Sequence, residues 1–125
     1  AMVESVLARR FPPELATDGD AVGVNIGALH GTSRGASATV LLCVDLTEAV
    51  MAEAAAVRDI AYIISYKPLI RTPLQALRKE DPVSRIVLMC AAQSIASYAL
   101  SSCAANAVGG INEWLVHSLA PGLTE

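Results

Sequence analysis

Apolar residues at Val3, Val6 and Leu7 recur at helical spacing up to Phe11, where Pro12-Pro13 stops the run. The pattern predicts a short amphipathic helix over residues 3–11. Residues 21–26 (AVGVNI) alternate and predict a strand, followed by a loop rich in Gly and Ser (GALHGTSRGAS). The continuous run TVLLCV at 39–44 reads as a strand covered on both faces. Asp45-Leu46-Thr47-Glu48 has the spacing of a capping box, with Asp45 as N-cap of an Ala-rich helix reaching about Val57. A second buried strand spans 60–65 and ends at Tyr66-Lys67-Pro68, because proline forces the chain out of a sheet.

Further along, residues 73–79 predict a short helix, and Asp81-Pro82 reads as N-cap and first residue of a helix over 83–94. A fourth strand at 95–100, a loop of small polar residues at 101–107, a Gly109-Gly110 hinge and a last helix at 111–119 complete the pattern. No internal repeat or linker interrupts it, so residues 1–125 are expected to form one domain, with a flexible loop at 27–38. Alternating strands and helices predict an α/β fold, a parallel-rich sheet with flanking helices. Ligands of such sheets bind beyond the carboxyl ends of the strands. Ile26-Gly27, Asp45, Ser65-Tyr66-Lys67 and residues 101–107 are therefore expected to meet at one edge.

Composition sharpens this picture. Hydrophobic residues make up 54% of the 125 positions and charged ones only 17%, which excludes a disordered chain. Mean hydropathy of +0.48 suggests that some apolar surface is buried against something outside the chain. The net charge of −3 and the absence of a basic cluster argue against direct nucleic-acid binding. Cys43, Cys90 and Cys103 form no CxxC pair, which fits a reduced, cytoplasmic setting. No apolar run reaches the ~18 residues of a membrane span. Ala1 before Met2 reads as a cloning remnant, and the start is not that of a signal peptide.

Few groups at the expected edge carry chemistry. Asp45 could coordinate a cation, but the cap role is the simpler reading. Lys67 could hold an anion or pair with Asp45, and pairing is favoured because an unpaired ammonium in a cleft is costly. Ser101, Ser102 and Cys103 invite a nucleophile, yet neither His30 in the loop nor His117 on the last helix is placed as its base, so an ordinary polar loop is the better reading. Gly31-Thr32-Ser33-Arg34-Gly35 is not a phosphate-binding P-loop, since no GK[ST] follows.

Several ordered pieces nevertheless resemble one family. Val44-Asp45-Leu46-Thr47-Glu48-Ala49-Val50 is similar to the strand-then-DLTxxV helix of the Nif-three-like proteins, also known as GTP cyclohydrolase I type 2 homologues. Ile64-Ser65-Tyr66-Lys67-Pro68-Leu69-Ile70 resembles their [ST]-[HY]-H-P-[LI]-[IF] turn, in its eukaryotic rather than its bacterial form. Residues 98–106 occupy the place of an S-x-H-T-x-x-D loop, and Gly110-Ile111-Asn112-Glu113-Trp114-Leu115 resembles a G-x-N-x-[WL]-L helix start. Asp20-Ala21-Val22-Gly23 is similar to the family's W-D-N-V-G without its Trp.

The resemblance implies an N-terminal half of the family's fold and a site for two divalent metal ions. Its ligand positions depart from the pattern. The former metal-site positions are Tyr66, Lys67, Ser101 and Ala105: Lys67 replaces the histidine before proline, Ser101 the loop histidine and Ala105 the aspartate. A protonated lysine offers no lone pair to a metal, and alanine offers no donor. The remaining ligands of the family lie in its C-terminal part. The expectation is thus no catalytic residue, no metal and no cofactor. Asp45, Lys67 and Asn112 stand as candidates for a cleft that binds an anion or holds an ion pair.

Two functions follow as expectations. One is a non-catalytic interaction and assembly module, a homo-oligomer or the companion of another protein, with the dinuclear site lost. The alternative is a metal-dependent hydrolase of GTP cyclohydrolase type, its site completed by a C-terminal part or another subunit.

Overall fold

The computed structural model describes residues 2–30 and 38–122. Its elements run α1 (Met2–Arg10), β1 (Gly23–Ile26), β2 (Thr39–Cys43), α2 (Glu48–Ala56), β3 (Ile60–Ser65), α3 (Pro82–Gln93), β4 (Ala96–Ala99), α4 (Ser102–Asn106) and α5 (Ile111–Leu119). A 3-10 turn at Pro13–Leu15 follows α1, where the two prolines end the helix. The Gly/Ser-rich stretch at 31–37 lies outside the described residues.

The four strands form one sheet in the order β1-β4-β3-β2. The pairs β2–β3 and β3–β4 are parallel, as the alternation predicts. β1 departs from it and runs antiparallel to β4, with Gly23 opposite Ala99 and Ile26 opposite Ser97. No helix separates β1 from β2 among the described residues, so no crossover dictates its direction, and an antiparallel edge strand is a common end to a parallel sheet. The reversal carries Ile26-Gly27 to the end away from the carboxyl termini of β3 and β4. It brings the approach to β1, residues 19–22, to that edge instead.

Side chains alternate across the sheet. Leu41, Cys43 and Ile63 point to one face, where Met51 and Ala54 of α2 and Ile86 and Cys90 of α3 close the main core. On the other face Tyr62 packs with Ala96 and Val3 of α1, and its hydroxyl donates to Glu4 at 3.1 Å. α3 starts as its sequence predicts, with the Asp81 carboxylate accepting from the Ser84 N–H at 2.8 Å and proline at the first helical position.

Four local expectations change. The run at 39–44 is not covered on both faces: β2 is an edge strand, and Leu42 is 74% exposed while Val44 and Val40 are also open. The N-cap of α2 is Thr47, whose hydroxyl accepts from Val50 N–H, so Asp45 is left outside the helix. Residues 73–79 form no helix. Seven residues cannot offset the cost of nucleation without an apolar face to bury, and this segment is exposed. Residues 101–107 are not a loop but contain α4, whose cap is supplied from far away in sequence.

Candidate functional site

The carboxyl edge of the sheet is built by the ladders running on past the strands. Lys67 N–H donates to the Val44 carbonyl at 2.9 Å and Ser101 N–H to the Tyr66 carbonyl at 2.7 Å. The first bond sets Lys67 beside Asp45, and their side chains meet at 3.2 Å between Nζ and Oδ2. Thr47 having taken the cap, the Asp45 carboxylate is available for this pair. Both side chains are about half exposed (46% and 48%), so the pair contributes at most about 1 kcal/mol and serves mainly to orient the ammonium.

Ser101 joins β4 to α4 at φ 44°, ψ −139°, a region that residues with a Cβ seldom adopt, and it is only 8% exposed. Such a backbone costs about 1–3 kcal/mol. Its surroundings hold it there. Asp20 Oδ2 accepts from the Ser102 N–H at 3.2 Å and from the Ser102 hydroxyl. That hydroxyl in turn accepts from Thr17 N–H at 2.8 Å. Asn106 donates from Nδ2 to the Leu15 carbonyl at 2.9 Å. The segment before β1 thus clasps α4 at both ends and caps its first turn from 82 positions away.

The hydroxyls of Ser102 and Ser101 hold the Asp20 carboxyl below the usual carboxylate range. A folded-state pKa below the unfolded one stabilises above the unfolded value of about 3.9 and is lost as pH falls through the folded value. Asp20→Asn is therefore expected to lower the urea midpoint at pH 7 and to leave a much smaller deficit near pH 2.5. An equal deficit at both pH values would show that the charge of Asp20 is not what matters.

The nucleophile readings fare as follows. The Ser102 hydroxyl is used on both sides, by Asp20 and by Thr17. Cys103 is fully buried, and burial, with smaller contributions from Asp20 and Glu14, pushes its thiol up. Cys90 is likewise pushed up to about 11 by burial, a thiol that stays protonated in the core. His117 is exposed on α5.

The four positions that the resemblance implies as former metal-site positions are not all brought together. Lys67 and Ser101 line a pocket of about 280 Å³ with Gly19, Asp20, Pro68 and Arg71. Tyr66 instead lines a separate apolar groove of about 430 Å³ with Phe11, Leu42, Ile64, Ile111 and Trp114. Ala105 is half-buried on α4, and Asn112 on α5 donates to Asn106 Oδ1 at 3.4 Å, away from Lys67. Among the described residues no group of three or more His, Cys, Asp or Glu side chains is placed to hold a metal ion. Sequence reasoning missed Asp20 and Arg71 as members of the edge. Asp20 carried a signal, its place in the motif before β1. Arg71 carried none.

The model of one protein family, DUF34/NIF3 (NGG1p interacting factor 3), matches residues 1–124. The chain belongs to this family. It is 36% identical over 121 residues to the protein NIF3 homolog of Schizosaccharomyces pombe, covering 97% of this chain and 41% of that one. It is 30% identical over 120 residues to the GTP cyclohydrolase 1 type 2 homolog of Bacillus subtilis, covering 95% and 31%. Among solved structures, the Bacillus cereus protein related to NIF3 superimposes with a TM-score of 0.80 at 33% identity, over 94% of this chain and 31% of the other. The NIF3-family chain described here therefore spans less than half the length of these relatives. Among its described residues no helix is long and apolar enough to cross a membrane.

Proposed function

We propose that this NIF3-family chain is a non-catalytic assembly module whose dinuclear metal site has been lost, and that it associates through an apolar face. The observation that carries the reading is that face. Leu42 and Val44 at the β2 edge are exposed, and α5 buries none of its residues, leaving Ile111, Trp114, Leu115 and Val116 open beside the 430 Å³ groove. The β2 edge also carries no Lys, Pro or inward-pointing charge over Thr39–Cys43, the devices by which exposed edges are kept from pairing. The lost site is supported by Lys67 and Ala105 standing where the family pattern has donors.

The test is the mass in solution by light scattering, for the wild type and for Leu42→Lys. A self-associated wild type and a folded, monomeric variant are expected, the variant losing the concentration-dependent part of the melting temperature that association supplies, because the substitution itself, at so exposed a position, costs at most about 0.5 kcal/mol. A monomeric wild type overturns the self-association.

A second reading is a metal-dependent hydrolase of GTP cyclohydrolase type, completed by further chain or another subunit; it is favoured by the similarity to the GTP cyclohydrolase 1 type 2 homologs of Bacillus subtilis and Lactococcus lactis. Elemental analysis of chelator-free protein decides between them. About two divalent ions per chain, the stoichiometry of a two-metal site, would favour the hydrolase.

A further inference from the structure

The pocket behind Pro68 has a charge pattern that neither assembly nor a vanished metal site requires. Its two cations come from one turn, Lys67 and Arg71, and both have donors to spare. Lys67 gives one N–H to Asp45 and keeps two. Among the described residues Arg71 turns only Nε to a partner, the Pro68 carbonyl at a long 3.5 Å, which leaves its two terminal nitrogens without one there. One carboxylate, Asp20, shares the lining with them; it faces the serines, accepting from Ser102 and from the Ser101 hydroxyl, while Asp45 takes one bond of Lys67 from outside the pocket. Ser101 completes the wall.

The turn is held in place. Asn25 Oδ1 of β1 accepts from the Ile70 N–H at 3.1 Å, one residue before Arg71. The ladder fixes the backbone of Lys67 against Val44 and of Ser101 against Tyr66. The cavity, about 280 Å³, falls just below the usual range for drug-sized ligands and suits a small one. A guanidinium fork beside an ammonium, at the carboxyl edge of a parallel sheet, matches a tetrahedral oxyanion.

We propose that the pocket formed by Lys67, Arg71 and Ser101 binds a phosphate group, as the free ion or as a phosphate monoester. Binding here is independent of the apolar face and of the oligomeric state.

The experiment is a titration of the isotope-labelled chain with inorganic phosphate at constant ionic strength, following amide resonances. Saturable shifts are expected at Lys67, Arg71 and Ser101, and not in α5. In Arg71→Gln the apparent Kd is expected to weaken about tenfold or more, the worth of a hydrogen bond to a charged group. Lys67→Gln provides a second variant should the first alter the turn. Glycerol phosphate in place of phosphate identifies the source. Tighter binding of the ester points to a phosphorylated ligand and weaker binding to the free ion, and both support the site. Absence of saturation in the wild type, or an unchanged Kd in both variants, overturns the proposal.

Discussion

Gly110→Ala is expected to cost about 3 kcal/mol, at the upper end of what overpacking does, and to lower the melting temperature by roughly 10 °C for a domain of this size. Gly110 is buried between the end of α4 and the start of α5, and it is the N-cap of α5. A Cβ added there would stand 2.5 Å from the Ala104 carbonyl oxygen and 2.6 Å from that of Ala107. Both obstacles are backbone, so no side chain can rotate away. The clash can be relieved only by moving α5, whose first turn hydrogen-bonds back through the Gly110 carbonyl and Trp114 N–H at 3.0 Å. Moving α5 displaces Ile111 and Trp114, one wall of the apolar groove. The association proposed for that groove should then weaken together with stability. Gly27→Ala is the control, because nothing lies within 4 Å of its added Cβ and its backbone is not left-handed. Equal urea midpoints for the two variants would show that α5 is not seated as described.

Gly110 also marks where local sequence stops being informative. Its neighbours Gly109-Gly110 read as a hinge, and the helix that follows begins and ends where its apolar spacing predicts. The close approach of α4, the reason alanine is excluded, is set by tertiary packing. The same division recurs through the chain. β3 was legible because a strand buried on both faces is written as an unbroken apolar run, and the Lys67–Asp45 pair because two strand ends in register bring their successors together. A similar apolar run in β2 belongs to an edge strand whose Leu42 and Val44 are exposed, since an apolar run by itself does not say whether both faces are covered. The capping-box spacing at 45–48 points to Asp45 as the cap of α2, but Thr47 lies closer to the first free N–H groups and takes it. α4 was hidden because its five residues are too short to show periodicity, and its cap, Asp20, arrives through the antiparallel return of β1. The direction of β1 was the one topological fact on which the site depended, and alternation of strands and helices does not encode it.

Ile63→Ala is expected to destabilise the fold by about 2–5 kcal/mol, through lost burial and the cavity left behind. Ile63 is 0% exposed in β3, in register with Leu41 on one side and Ser97 on the other, and it packs in the cluster that includes Met51, Ile86 and Cys90. Its neighbour Leu42, as apolar and in the adjacent strand, should tolerate alanine with a loss of at most about 0.5 kcal/mol. The contrast tests whether the β2 edge is open in the free chain. A loss for Leu42→Ala approaching that of Ile63→Ala would show that the edge is covered. The register also decides where within the range Ile63→Ala falls. The hydroxyls of Ser97 and Ser65 are buried with no hydrogen-bond partner among the described residues, and Ser97 lies directly across from Ile63. Space opened there is lined by Met51, Ile86 and Cys90 beside the Ser97 hydroxyl, and a buried water needs two to four polar partners, so the cavity is expected to stay dry and the loss to fall in the upper part of the range. Ser97→Ala alone is expected to be neutral or stabilising, because it removes an unsatisfied buried hydroxyl. A double-mutant cycle in urea is then expected to show near-additivity, and a Ser97→Ala substitution that turns destabilising in the Ile63→Ala background would show that water enters the cavity and bonds to Ser97.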